Sequence, residues 1–206
     1  MRSRLLEATL DCLQAEGFSG TTVTRIIEQA GVSRGAYVHH FPNKLDLFAA
    51  ASDHLVRQTL RRVEQMIQGL DREADRLDAM LDFLWTELTH GRLGTVFLEL
   101  MVAARSDSKL LERLHPITRR RQQISDVGWR MYFAATPRAE AAGIGVEAVM
   151  NMTTWLVRGM ALEAAISDEP EATFRAHLTM LRTLIEPLVQ ARLSAPDCPS
   201  STPRTE

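Results

Sequence analysis

The chain is predicted to be all-α, and three observations predict it. Apolar residues recur at three- and four-residue spacing, Asn-Gly and Asp-Gly hairpin turns and alternating segments are almost absent, and aromatic residues make up only 6% of the 206 positions. An N-terminal unit of three short helices with a helix-turn-helix layout is expected over residues 1–45. A larger helical body follows over 46–194, then a tail over 195–206.

Each helix is bounded by local chemistry. Leu6, Leu10 and Leu13 stripe a first helix over residues 3–16, stopped by Gly17. Thr22 is a fit N-cap for a second short helix with Val23, Ile26, Ile27 and Ala30 on its apolar side, closed by Gly31. Ser33 caps a third over Arg34 to His40, which must stop at Phe41-Pro42 because the residue before a proline is driven out of the helical region. Asn43 with Asp46 three positions on resembles a capping box. It opens a fourth helix through Leu45, Phe48, Leu55, Val63 and Ile67, running to about residue 68, long enough to serve both domains.

Beyond Gly69, Leu77, Met80, Leu81, Leu84 and Leu88 mark one helix, and Phe97, Leu98, Met101 and Val102 a shorter one. Residues 108–135 are expected to be helical but interrupted by Pro116. Pro137 and Gly143 to Gly145 separate them from a helix over about 146–167, and Asp168-Glu169-Pro170 from a last one. The tail beyond Ala195, with three prolines and no apolar face, is expected to be disordered.

Composition narrows the function classes. Lys plus Arg number 24 against 26 Asp plus Glu, so a generally basic nucleic-acid coat is excluded while a local basic surface is not. No apolar run approaches the roughly 18 residues that cross a bilayer, and the start lacks a signal-peptide core, so a cytoplasmic protein without membrane contact is expected. Two cysteines, Cys12 and Cys198, make neither a disulfide framework nor a thiolate metal site. Phosphate-binding glycine loops, nucleophile elbows and His-Glu-x-x-His are missing, so no enzyme, metal or cofactor is expected.

Between Thr22 and Phe41 lie a short helix, a turn with Gly31, and a second short helix. Steeply crossing helices need a turn residue that tolerates positive φ, and Ile26, Ala30, Val32 and Tyr37 can fill the crossing. The first turn of the second helix, Ser33 to Ala36, then projects small side chains outward, and a helix docked this way reads bases with its N-terminal residues.

The run Thr22-Val23, Ile26, Ala30-Gly31-Val32-Ser33-Arg34-Gly35, His40-Phe41, Lys44 and Leu47 resembles the DNA-binding signature of the TetR family of bacterial transcriptional regulators, over about residues 3–50. The resemblance implies about nine helices, a homodimer, and a repressor released from a palindromic double-stranded DNA operator by a small-molecule effector. Thr22 and Lys44 are expected on phosphates, and Arg25 and Arg34 on base edges. Thr24, Ser33, Gly35, Ala36 and His39 complete the footprint. The chain departs from the family in having Ile27 where a small residue is usual, and Val38 where a tyrosine contacts phosphate. Tyr37 is expected to face inward, leaving His39 as the substitute. The departure at 38 keeps a second reading open: a helical small-molecule-binding protein whose helix-turn-helix makes protein contacts or no longer binds DNA. Residues 1–68 carry net +1 and the remainder −3, so any DNA affinity depends on a few placed cations.

In the body, Phe174, Leu178, Leu181, Ile185 and Leu188 follow 4-3-4-3 spacing and are expected at a dimer seam, with an intrachain core seam as the other reading; Pro187 should kink or restart the helix. Trp85, Phe97, Met101, Trp129, Phe133, Met152 and Trp155 are expected to line a pocket for an apolar or aromatic effector. Arg119-Arg120-Arg121 is expected to be a solvated face, with a site for an anionic ligand as the other reading.

Overall fold

Local caps set the chain's early helices. In the computed structural model, which describes residues 1–70 and 75–192, α1 spans Arg2–Gly20 and breaks at Gly17, whose φ is 67° and ψ −176°. α2 (Val23–Ala30) begins where the Thr22 hydroxyl accepts the Arg25 amide at 3.2 Å, and ends at Gly31 in the left-handed region. α3 (Arg34–His40) starts on Ser33, which accepts the Ala36 amide, and stops at Phe41 in extended conformation. α4 (Lys44–Gln68) opens on Asn43, whose side chain both accepts the Asp46 amide at 2.9 Å and donates to the Asp46 carboxylate at 2.6 Å.

The body follows with α5 (Arg76–Thr89), α6 (Arg92–Ala104), α7 (Ser108–Tyr132), a strand β1 (Phe133–Ala135), α8 (Pro137–Ala141), α9 (Val146–Ala164), α10 (Glu171–Ile185) and a strand β2 (Val189–Ala191). That makes ten helices among the described residues where about nine were expected. No helix among these residues is long and apolar enough to cross a membrane. Residues 195–206, expected to form the tail, lie outside the described residues.

Three expectations are corrected. α7 runs unbroken through Pro116. Proline removes the amide that would meet the Glu112 carbonyl, but Glu112 and Pro116 are both exposed, so water can serve that oxygen. α10 ends at Ile185, before Pro187, and the chain then turns into β2. β2 pairs antiparallel with β1, Phe133 opposite Ala191 and Ala135 opposite Val189. Thr136 reinforces the junction by donating its hydroxyl to the Pro187 carbonyl at 2.7 Å. Three-residue strands are too short to show an alternating pattern, which is why the sequence hid them.

Two apolar cores organise the chain. The first packs Leu5, Leu6, Leu10 and Leu13 of α1 against Ile26, Tyr37, Phe41 and the first half of α4, Leu47 to Leu55. It also takes in Val96, Leu100 and Ala104 of α6 and Leu110 and Leu114 of α7. A boundary at residue 45 would cut through this core, so the expected division is not where the packing divides. The second core joins Ile67 of α4 to α5, Trp129, Phe133, α9 and α10. α4 thus belongs to both.

Polar contacts tie the head to α6. Arg92 reaches Glu7 at 2.8 Å and pairs with Asp11, both on α1. Glu7 also accepts from His54 and Gln58 of α4, each at 2.7 Å. Glu99 accepts the Phe18 amide at 2.7 Å, just past the break at Gly17.

Candidate nucleic-acid interface

The turn between α2 and α3 fixes which side chains face out. Gly31 sits at φ 59° and ψ 44°, a conformation that costs a side-chain-bearing residue about 1–2 kcal/mol. Its carbonyl accepts from the Arg4 guanidinium at 3.1 Å, a link from α1 to the turn that the sequence did not reveal. Ile26 and Ala30 turn into the core, and Tyr37 joins them. Burial pushes the Tyr37 phenol up from its ordinary value, with the nearby Asp46 charge adding to it. A neutral, inward tyrosine is what the α3 periodicity predicts.

The opposite face of α3 is open. Ser33, Arg34, Gly35 and His39 are exposed, Ala36 is half-buried, and Arg34 makes no ion pair among the described residues. Val38 is exposed too, so the position where the family places a tyrosine faces outward but carries no polar group. His40 is half-buried and lies between His39 and Phe41, with ring centroids 5.2 and 6.4 Å away. On α2, Thr22, Thr24 and Arg25 are exposed. Arg25 is held by Glu16 of α1 at 2.5 Å, which raises its pKa through the hydrogen bond and the charge. It must leave Glu16, or bring it along, to touch a base.

Lys44 lies differently from its expected pose. Its ammonium sits 5.2 Å from the Phe18 ring centroid and 4.9 Å from that of Phe48, over both faces, and burial holds its pKa below the ordinary lysine value. A phosphate contact would come by extending the side chain off the two rings. The N-terminus of α4 beside it supplies backbone donors and a partial positive charge of its own.

The expected pocket residues do not form one set. Trp129 lines a cavity of about 120 Å³ between α4, α5, α7 and α9, together with Val63, Met80, Phe83, Leu84 and Tyr132. Phe97, Met101 and Trp155 line a more open groove of about 600 Å³ over α6, α7 and α9. Trp85 stacks on Phe174 with centroids 5.5 Å apart, at a separate depression. Phe133 is core, packed beside Trp129. Met152 is exposed on the outer side of α9. Helical spacing gave all seven the same apolar periodicity, and only the packing separates wall, core and surface.

The sequence missed two cavity residues. Arg121 and Arg158 line both the cavity and the groove. Arg121 is half-buried, not part of a solvated face with Arg119 and Arg120, which remain exposed. A run of three arginines gives no hint that the third turns inward, and Arg158 stands alone on α9.

The expected dimer seam is corrected as well. Phe174, Leu178, Leu181 and Ile185 are buried in the second core, and Leu188 packs on it from the turn after α10. They close on α5 and α9 of their own chain. What stands exposed instead is a neighbouring pair of faces, with Met152, Trp155, Leu156 and Leu162 on α9, Ile166 in the turn after it, and Met180 and Leu184 on α10.

The profile described as bacterial regulatory proteins of the tetR family matches residues 5–51. The chain is 34% identical over 115 residues to an uncharacterised HTH-type transcriptional regulator of Mycobacterium tuberculosis H37Rv, 56% of this chain and 58% of that one. It is 32% identical over 128 residues to the HTH-type transcriptional regulator CymR of Pseudomonas putida, 62% of this chain and 63% of that one. The match spans less than two thirds of either relative. Among solved structures, a transcriptional regulator from a Rhodococcus strain superposes with a TM-score of 0.66 at 26% identity, covering 91% of this chain and 97% of that one.

Proposed function

We propose that this chain, whose residues 5–51 match the tetR-family profile, is a member of that family and a sequence-specific DNA-binding transcriptional regulator of the cytoplasm, a homodimer that represses from a palindromic operator until a small effector releases it. The observation that carries this reading is the first turn of α3: capped by Ser33, exposed, built of small residues, and bearing an Arg34 free of intramolecular partners among the described residues. Arginine at such a place pairs bidentately with guanine in the major groove. Thr22, Thr24, Arg25, Gly35, Ala36, His39 and Lys44 frame it, with His39 outward where Val38 offers no phosphate contact. The exposed apolar faces of α9 and α10 are the proposed dimer surface, because monomeric proteins rarely leave such a contiguous patch open.

Two connections support a route from effector to DNA. α4 lies in both cores, and α6 reaches from Phe97 at the groove to Glu99, Arg92 and the α1 helix that braces the turn. A change of packing at the body end would reach the reading helices by rigid displacement and alter their spacing, which in two-fold helix-turn-helix dimers is about 34–36 Å.

The test is binding of the full chain to candidate palindromes upstream of its own or neighbouring genes, read by fluorescence anisotropy. Arg34→Ala should weaken the specific site by about 1–3 kcal/mol while leaving non-specific binding nearly unchanged. Equal affinity of the variant for operator would remove the assigned reading role. No DNA binding by the native chain at low salt would favour the second reading, a ligand-binding helical protein whose helix-turn-helix serves protein contacts.

A further inference from the structure

Two arginines approach one phenylalanine from different helices. The guanidinium carbon of Arg121, on α7, lies 5.1 Å from the Phe97 ring centroid, and that of Arg158, on α9, lies 5.8 Å from it. Both side chains stand where the inner cavity meets the outer groove, since both line each of them.

Neither guanidinium has an ion pair or hydrogen bond among the described residues, and the Nε atom of each is buried without an acceptor. The nearby carboxylates are engaged elsewhere. Asp126 accepts from Gln122 at 2.8 Å and from Asn151 at 3.1 Å, and Glu87 is held by Arg62 at 2.6 Å. A third donor adds to them: the indole N–H of Trp129, on the cavity wall, is also buried without an acceptor. Half-buried charges without an ion-pair partner are costly, and here two of like sign share one ring, with Asp126 acting on Arg121 only through its field. Burial lowers both pKa values from the ordinary arginine value, and in Arg121 the charge of Arg158 adds to the effect. Guanidinium stays protonated under such pressure, so the deficit is one of negative charge and of acceptor atoms.

Most of the remaining lining is apolar, Val56, Leu60, Val63, Met80, Phe83 and Leu84 among it, and the carboxylate in the wall, Glu87, is already paired with Arg62. Its volume of about 120 Å³ is close to that of an engineered apolar cavity, about 150 Å³, which takes up benzene. We propose that this cavity binds a small organic carboxylate with a single aromatic ring or short aliphatic body, its carboxylate held between Arg121 and Arg158 and its body against Met80, Phe83 and Trp129. This narrows the apolar or aromatic effector expected from the sequence to an anion, and it rests on the reading of the body as an effector domain. An incoming carboxylate competes with the Phe97 ring for both guanidiniums, which places its effect directly on α6.

The experiment is titration of the full chain, without DNA, by calorimetry and by fluorescence of the cavity-wall Trp129. The probes are benzoate, phenylacetate and hexanoate, with benzyl alcohol, 2-phenylethanol and hexanol as neutral counterparts. At least one carboxylate should bind, and bind roughly 10- to 100-fold more tightly than its alcohol. Arg121→Gln and Arg158→Met should each remove most of that difference while affinity for the alcohol stays level. Alcohols binding as well as carboxylates, variants that keep the preference, or no carboxylate bound up to about 10 mM would each overturn the proposal. The comparison of carboxylate with alcohol on the native chain stands even if one variant folds poorly. Carboxylate binding that leaves operator affinity unchanged would keep the anion site and overturn the effector reading alone.

Discussion

Replacing Gly17 by alanine strikes two things at once. At φ 67° and ψ −176° the backbone occupies a region that is essentially glycine's alone, and forcing a side-chain-bearing residue there costs about 1–3 kcal/mol. A Cβ at this position would also stand 2.7 Å from Glu99 Oε2, the atom that accepts the Phe18 amide. Moving Glu99 aside forfeits a charge-assisted hydrogen bond worth about 1.5–3 kcal/mol. Together the loss is about 2.5–6 kcal/mol, and at 2–4 °C per kcal/mol for a chain of this size the melting midpoint should fall by roughly 5–24 °C. Urea unfolding at fixed protein concentration measures it, the concentration being fixed because the apparent stability of any self-associating chain depends on it. Glu99→Ala alone should cost about 1.5–3 kcal/mol, and adding it to Gly17→Ala should cost almost nothing further, since the same contact is already lost. Additive losses in the double variant, or a Gly17→Ala protein within about 0.5 kcal/mol of native, would refute the reasoning.

Two other outcomes follow from the geometry. Leu184→Glu on the exposed face of α10 should yield a folded monomer in sedimentation, whereas Leu181→Glu, three positions earlier but buried, should unfold the body; a dimeric Leu184→Glu protein would move the interface elsewhere. Burial alone would raise the Glu7 carboxyl, but hydrogen bonds from His54, Arg92 and Gln58 outweigh it and hold the pKa below the ordinary carboxylate value. With its folded pKa depressed, Glu7 contributes stability above the unfolded value, and that contribution is lost as pH falls through the folded one. Native chain and Glu7→Gln should therefore differ most near neutral pH and converge in acid; a gap that widens on acidification contradicts this.

Helix boundaries were legible because their causes are local. Thr22, Ser33, Asn43, Gly17 and Gly31 act within one turn of themselves, and each does in the structure what its residue type dictates. Tyr37 inward and His39 outward were legible for the same reason, from the 100° step of a helix. What periodicity cannot say is what covers an apolar stripe. Leu178 and Leu181 repeat like a dimer seam, and only the placement of α5 and α9 makes them core. Arg121 turned inward because Phe97, 24 positions earlier, packs beneath it, a contact between helices that no window along the chain contains. Pro116 misled in the other direction, since an exposed helix face tolerates a missing amide that a buried one would not.

The way α6 and the start of α7 roof the first core bears on how such a protein could be re-engineered or could recombine. Exchanging helix-turn-helix heads at a cut after residue 45 would part Leu10 and Tyr37 from Phe48, Val96 and Leu100 and leave Glu7, Asp11 and the Phe18 amide facing a foreign surface. A chimera that keeps its fold has to transfer the first half of α4 and the whole of α6 with the head. The helix-turn-helix head is thus exchangeable only as a discontinuous module, made of two stretches of chain separated by α5.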